Sequence, residues 1–451
     1  MRELLAKAAV YASDYLDALP ERSVCALPGA AEALVRALDT PLPEQRSDTA
    51  EVLDFLNRLG GPATTASAGG RYFGFVTGGS LPASLASHVL ASAWDQNAFG
   101  WVSSPAAAAF EETALRWIKQ ALGIPPSVEG ALTTGATMAH FACLAAARNR
   151  VLTDAGWDVE ANGLFGAPEI TVVVGEEAHA SLFKVLSMLG FGRARVVRLP
   201  VDEQGCVTGA GLPEIKAPAI VCIQAGNVNS GGFDKARPVV EWARRAGAWI
   251  HVDGAFGLWA LASPDLKALA EDFLDADSWA LDGHKWLNVP YDSGIALVAD
   301  TEALTAAMSI TGAYLLKTTR RDALDVTPDS SRRARGIDIW AALCSLGRTG
   351  LAELIDRNCR QARQVADGLR AADLEILNDV VLNQVVVSFG DADATEKLVE
   401  RVQQSGECWC GGTVWRGRSA MRISVSSWAT TDEDIDRSIV AIVEAARAVS
   451  A

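Results

Sequence analysis

The chain has 451 residues, 49% of them hydrophobic and 21% charged, which is too long for one small core and apolar enough for a large domain with a smaller companion. Lys and Arg total 40 against 55 Asp and Glu, a net charge of −15. That balance argues against a nucleic-acid or anionic-membrane partner, so any anionic ligand must be held by a local site.

No apolar run reaches the roughly 18 uncharged residues of a membrane span. The start, Met1-Arg2-Glu3-Leu4-Leu5, has no signal-peptide pattern, and a cytoplasmic protein is expected. Leu4, Leu5, Ala8, Tyr11, Leu16 and Leu19 fall at helical spacing. A second amphipathic helix is expected from Asp48 to Leu59, opened by a capping box of Asp48 and Glu51. Gly60-Gly61-Pro62 ends this arm, residues 1–62. Its apolar stripes need covering, by a homodimer partner or by the chain's own domain. Residues 63–80 are poor in charge and hold the aromatic cluster Arg71-Tyr72-Phe73-Gly74-Phe75-Val76-Thr77, which reads as a pocket wall or as rings plugged into the core. A similar cluster, Trp94 to Trp101, precedes a helix from about Ala106 to Leu122.

From Ala131 the pattern becomes strand, loop and helix in repetition. Strands are predicted at Ala131–Thr133, Ile170–Val174, Arg195–Leu199, Ala219–Gln224, Trp249–Val252, Ser278–Leu281 and Gly294–Val298, with helices such as Met138–Arg150, Ser181–Leu189 and Val239–Ala246 between them. This predicts an α/β sheet covered on both faces, with ligands at the carboxyl ends of the strands. Polar residues gather at those ends. Thr133-Thr134-Gly135-Ala136-Thr137 opens a helix and has the small residues and free N–H groups of a phosphate cradle. His179 can stack on a planar heterocycle or cap a helix, and Asn227 can reach a ring substituent. Asp253, ending the strand Trp249–Val252, is a buried carboxylate that needs a cation or donor, such as a protonated pyridine nitrogen.

The stretch Asp277 to Leu297 carries the chemistry. A strand ends at Asp282-Gly283-His284-Lys285, a tight turn follows, and Gly294 starts another strand. Lys285, fixed on both sides and flanked by His284 and Trp286 instead of other charges, is partly desolvated and freed as a nucleophile toward a carbonyl. It reads as the Schiff-base lysine of a pyridoxal phosphate (PLP) enzyme or, less informatively, as a surface lysine. The eight cysteines sit mostly in apolar contexts such as Val221-Cys222-Ile223, the usage of reduced, buried thiols. Cys408-Trp409-Cys410 lacks the gap of redox or zinc motifs, and no metal site is expected.

His179, the segment His251-Val252-Asp253-Gly254-Ala255-Phe256-Gly257, and Asp282-Gly283-His284-Lys285-Trp286 resemble, in order and spacing, the PLP-dependent decarboxylases of the aromatic amino acid and glutamate decarboxylase group. The similarity runs from about Arg71 to the C-terminus. It implies the aspartate aminotransferase fold, fold type I: a mostly parallel seven-stranded sheet with helices on both faces in residues 63–322, an N-terminal helical arm, and a small α+β domain in residues 323–451. It implies that Lys285 holds PLP as a Schiff base, that Asp253 keeps the pyridine nitrogen protonated, and that His179 stacks on the ring. Ala136, Thr137 and His284 would hold the phosphate, Asn227 would lie near the ring hydroxyl, and Ala255 and Asp282 would complete the cofactor site. Phe73 and Thr77 match a segment lining the substrate pocket, and Phe99 matches one reaching it from a neighbouring subunit, so a homodimer with shared sites follows.

Several positions depart from the family pattern. Gly69-Gly70 stands where relatives have His-Pro, Gly254 where Ala is usual, and Asp282 where many have Asn. The stretch Lys317 to Arg333 looks like a shortened mobile loop without the tyrosine that relatives use as a proton donor. His179 is then the expected acid, with Tyr314 a poorer one by spacing. Beyond the loop, helices are predicted at Ile337–Gly347, Gly350–Ala371 and Asp432–Ala446, and strands at Val385–Phe389 and Met421–Val425. Arg422 can bind a substrate carboxylate, as the matching arginine does in aminotransferases of this fold, a role that works against losing the carboxylate, or it is structural. Decarboxylation of an L-amino acid, aromatic ones included, is the leading expectation. The alternative is another PLP reaction at Cα, such as oxidative decarboxylation-deamination, transamination or carbon–carbon bond formation; a non-enzymatic binding protein conflicts with the intact Lys, Asp and His set.

Overall fold

The computed structural model describes residues 1–310 and 319–450. The chain divides into two compact units, one of Gly78–Ala362 with Asn378–Gln384, the other of Met1–Thr77, Arg363–Leu377 and Val385–Ala451. These units do not follow the boundaries expected at 62 and 323. Arg71 explains the first difference: its buried guanidinium donates to the carbonyls of Pro20, Arg22 and Glu407, tying residues 63–77 to the chain's two ends. Arg332 explains the second. Its fully buried guanidinium pairs with Glu111 at 2.7 Å and donates to the carbonyls of Ala98 and Leu132, holding the segment after 319 to the large unit.

The large unit is built on seven strands: β1 Glu129–Thr133, β2 Thr171–Gly175, β3 Val197–Leu199, β4 Ala219–Gln224, β5 Trp249–Asp253, β6 Ser278–Asp282 and β7 Gly294–Val298. Their order is β1-β7-β6-β5-β4-β2-β3, and only β7 runs antiparallel to its neighbours. All seven expected strands form. Strands β4 to β7 are buried along their whole length, as near-continuous apolar runs must be in a sheet covered on both faces. Helix Ala136–Asp154 packs on the sheet through small side chains, including Ala139, Ala142, Cys143 and Ala146, which let its backbone come close. The segment Arg335–Arg370 is helical on both sides of Gly347, whose φ of 61° breaks the run where two helices were expected.

In the other unit, helix Arg2–Ala18 has no buried residue, and helix Thr49–Phe55 is capped by Asp48, whose carboxylate accepts the N–H groups of Ala50 and Glu51. Its sheet has the order β10-β11-β9-β8, from β8 Glu375–Ile376, β9 Gln384–Ser388, β10 Gly411–Trp415 and β11 Arg418–Ser424. The last helix, Asp432–Ser450, and helix Ala392–Ser405 complete this unit. Among the described residues no helix is long and apolar enough to cross a membrane.

Candidate active site

Lys285 is set by what brackets it. The Gly283 N–H donates to the Ser293 carbonyl at 2.9 Å, closing the turn between β6 and β7. A Cβ on Gly283 would lie 2.5 Å from Ser293 Oγ, so the turn needs glycine. Trp286 is fully buried with its indole N–H on Asn358 Oδ1 at 3.0 Å. The Trp of the His-Lys-Trp stretch is thus an anchor that leaves the neighbouring lysine only the other way to point. The Lys285 Nζ lies 5.7 Å from the centroid of the Phe256 ring and 4.0 Å from Asp282 Oδ2. In sequence Lys285 is flanked by His284 and Trp286, and in space the Asp282 carboxylate, three residues back, is within ion-pair reach.

Asp282 ends β6 and points at the start of helix Ala136–Asp154. Its Oδ1 accepts the Ala136 N–H at 2.9 Å, and its Oδ2 is 3.4 Å from His284 Nε2. The helix cap is Gly135, which has no side chain to offer, so a carboxylate from another strand takes the first N–H. Burial pushes the Asp282 carboxyl up to about 7, against the pull of Lys285 and the Ala136 N–H. Burial also lowers His284, with help from Lys285, to about 4, leaving it neutral at ordinary pH. The His284 ring stacks on Tyr291 with centroids 4.2 Å apart.

Asp253, at the end of β5, is buried, and its Oδ1 accepts the Ala255 N–H at 3.2 Å. Burial alone would raise its pKa, but His140, His179 and Lys285 more than offset that, and it lies below the usual carboxylate value. Among the described residues Oδ2 has no hydrogen-bond partner. Small neighbours make the room: a Cβ on Gly254 would sit 2.7 Å from the Leu258 Cβ, which accounts for glycine where relatives have alanine.

His179 caps helix Ala180–Met188, its Nδ1 accepting the Ser181 N–H at 3.2 Å. The neutral ring therefore carries its proton on Nε2. Thr137 and Ala255 are half-buried beside Ala136 and Asp253. Asn227 is used largely within its own loop: Oδ1 accepts the N–H groups of Asn229 and Ser230, and Nδ2 donates to Gln224. One amide hydrogen is left for a ligand, which narrows what it can do at a ring hydroxyl. Phe73 and Thr77 belong to the terminal unit, where Phe73 is buried and pairs through its backbone with Trp409 and Ser424. Gly70 is required there, because a Cβ would collide with the Asp434 carboxylate. Phe99 is half-buried in a segment latched by Leu324, whose N–H donates to the Phe99 carbonyl at 2.9 Å. Tyr314 and the loop's first residues, Lys317 and Thr318, lie outside the described residues. Arg422, in β11, is half-buried, and desolvation lowers its pKa.

The residues not anticipated from the sequence are His140 and Asp282's contact with Ala136. The signal for His140 was present: it lies one turn into the helix that starts at the cradle, and His251 shares a face of β5 with Asp253.

Residues 32–389 match the pyridoxal-dependent decarboxylase conserved domain. The chain belongs to this family. It is 26% identical to the aromatic-L-amino-acid decarboxylase of Bacillus atrophaeus over 93% of this chain and 90% of the relative. It is 28% identical to tryptophan decarboxylase 1 of Oryza sativa subsp. japonica, over 95% and 90%. A crystal structure of Oryza sativa TDC with PLP and tryptamine matches with a TM-score of 0.90 at 25% identity, covering 99% of this chain and 97% of that one. This decarboxylase is accordingly a PLP-dependent carboxy-lyase of fold type I acting on an amino acid. The residues fit PLP: a buried carboxylate keeps one oxygen without a donor, a helix of small residues opens on a glycine with only Asp282 on its first N–H, and a lysine amine lies 4.0 Å from that Asp282 carboxylate.

Proposed function

We propose that this decarboxylase converts an aromatic L-amino acid to its amine and carbon dioxide, as a cytoplasmic homodimer with shared sites. The observation that carries the chemistry is the grouping of Lys285, Asp253 and the start of helix Ala136–Asp154, whose cap residue Gly135 has no side chain, at the carboxyl ends of strands of one sheet. The aromatic preference rests on the relatives, whose names specify aromatic L-amino acids and tryptophan. The dimer is supported by exposed apolar side chains on the N-terminal helices, among them Val10, Leu16, Val35 and Leu38, which need covering.

When bound, PLP supplies an electron sink at the substrate Cα. The amine of Lys285 holds the cofactor covalently. Asp253 Oδ2 keeps the ring nitrogen protonated, which its low pKa permits at any ordinary pH. The Ala136 and Thr137 end of the helix, with His284, would hold the phosphate, and Asp282 in its neutral form would donate to it. His179 would stack on the ring, Ala255 would complete the cofactor site, and Asn227 would offer its remaining amide hydrogen to the ring hydroxyl. By the family resemblance, Phe73, Thr77 and a neighbouring subunit's copy of Phe99 would meet the substrate. His179, taking up a proton to become imidazolium, would be the residue that supplies a proton on that face of the site.

The test is a screen of the purified, PLP-loaded protein against tryptophan, tyrosine, phenylalanine, histidine and glutamate, following carbon dioxide and amine separately. Turnover confined to the aromatic substrates is expected. A preference for glutamate or histidine would overturn the aromatic assignment, and carbon dioxide without amine would favour the oxidative alternative.

A further inference from the structure

Two histidines in the large unit take no part in the chemistry described so far. His140 and His251 are fully buried, with ring centroids 5.1 Å apart and planes at 79°. The His140 Nδ1 is 2.8 Å from His251 Nε2. The His251 Nδ1 is 2.9 Å from Ser278 Oγ, and that hydroxyl accepts the Trp249 indole N–H at 2.9 Å. At the other end, His140 Nε2 has no hydrogen-bond partner and faces Asp253 Oδ1 at 3.6 Å.

The direction of the protons follows from the two ends. An indole N–H can only donate, and a carboxylate can only accept. If Ser278 donates onward to His251 Nδ1, then His251 carries its proton on Nε2 and donates it to His140 Nδ1. His140 is then protonated on Nε2, and that N–H points at Asp253. Every link has one donor and one acceptor. The reverse direction would place the His140 lone pair against the carboxylate and leave the Ser278 hydroxyl proton only the Cys143 sulfur, a weak acceptor. In a buried site both are costly.

We propose that Trp249, Ser278, His251 and His140 form a one-way hydrogen-bond relay that aims a neutral imidazole N–H at Asp253 Oδ1. His140 is thereby a positioning residue that turns Oδ2 toward the cofactor's ring nitrogen. The second half of this rests on the assignment of Asp253 as the ring-nitrogen partner. At 3.6 Å the last link is an electrostatic contact longer than a hydrogen bond. It still favours the ionised carboxylate, because little water is present to screen it. Burial lowers the pKa of both histidines, so both are neutral as the relay requires. The other charged groups facing Asp253 are His179 and Lys285, with Asp234 and Asp282 acting on it as like charges.

The chain has five histidines, so protein labelled with ¹⁵N-histidine shows five imidazoles, and the two of interest are assigned by substitution. In the cofactor-free protein, His140 and His251 are expected as the neutral Nε2–H forms, unchanged from about pH 6.5 to about pH 8. An Nδ1–H form at either position, or titration of either in that range, would overturn the relay without reference to the cofactor. The second measurement uses PLP labelled with ¹⁵N in the ring. In His140→Phe the bound ring nitrogen should lose its proton about one pH unit lower than in the parent, a tenfold loss of proton affinity. His140→Gln, which keeps a donor, should recover most of it. An unchanged ring-nitrogen titration in His140→Phe would sink the positioning role. Should that variant not fold, Ser278→Ala carries the same test, since it removes the donor to His251 Nδ1. Asp253→Asn separates the two levels of the proposal: a ring nitrogen that stays protonated in that variant would defeat the assignment of Asp253 itself.

Discussion

The Asp282 carboxylate accepts the Ala136 N–H at 2.9 Å, so the helix end that would receive the cofactor's phosphate already has an anionic group against it. Two negative charges cannot share that end cheaply, and the carboxyl must be neutral when phosphate binds. Its pKa of about 7 makes this accessible near neutrality. PLP affinity should therefore fall as pH rises through about 7, and Asp282→Asn should flatten the dependence. Equilibrium dialysis with PLP from pH 6 to pH 9 decides it; parallel curves for parent and variant would remove Asp282 from the phosphate site.

The same residue has a consequence for folding. A carboxyl whose folded pKa is raised from 3.8 to about 7 gives stability that is complete below the unfolded value and lost as pH rises through the folded one. Relative to Asp282→Asn, the cofactor-free parent should lose on the order of a few kcal/mol between about pH 4 and about pH 7. Urea titrations of both proteins at pH 5 and pH 8 measure the difference. An equal change in both would show that the buried carboxyl is not the source.

Lys285→Ala should abolish covalent retention of PLP. After borohydride reduction, mass spectrometry of the parent should find the cofactor on the peptide containing Lys285, with nothing comparable in the variant. Label on another lysine in the parent would contradict the assignment.

Asp253→Asn should keep much of its cofactor and lose about 10- to 100-fold in turnover, the range expected when a hydrogen bond to a charged group is lost from the transition state. Circular dichroism controls for folding. Activity within two- or threefold of the parent would leave Asp253 a structural carboxylate.

Gly254→Ala places a methyl 2.7 Å from the Leu258 Cβ, and overpacking of this kind costs about 1–3 kcal/mol. Leu258→Ala alone opens a cavity and costs about 2–5 kcal/mol. The double variant should be less destabilised than the two effects added, but only by the part of the crowding made by Leu258 Cδ2 and Cγ at 3.1 and 3.3 Å, since alanine keeps the Cβ. Strict additivity in denaturant unfolding would mean that the glycine is there for another reason.

Much of the fold was legible in the sequence because its strands are short apolar runs with polar ends, and the polar ends are where Thr137, His179, Asp253 and Lys285 stand. Other parts were hidden for identifiable reasons. Helix Pro82–Trp94 is apolar with little periodicity, so no stripe marks it. Strand β10 begins Gly411-Gly412 and reads as a turn, yet it pairs with β11 across Arg416-Gly417, both with positive φ as a two-residue hairpin demands. Arg71 and Arg332 redraw the domain boundaries through carbonyls far away in the chain, which no local pattern announces. Contacts such as Asp282 to Ala136 join residues whose separation hides them from any motif.

The place of β7 in the sheet bears on how the enzyme is made. Among the described residues β1 pairs with β7 alone, and a Cβ on Gly294 would collide with the backbone of Gly135, so the helix start proposed for the phosphate is closed by the last of the seven strands to be synthesised. A ribosome-bound chain that has exposed everything up to β6 still has β1 without a partner, and the Lys285 turn has nothing to close against. Capture of the vitamin B6 cofactor must then wait until β7 has emerged, which makes loading a late event in biosynthesis and leaves truncated chains unable to sequester it.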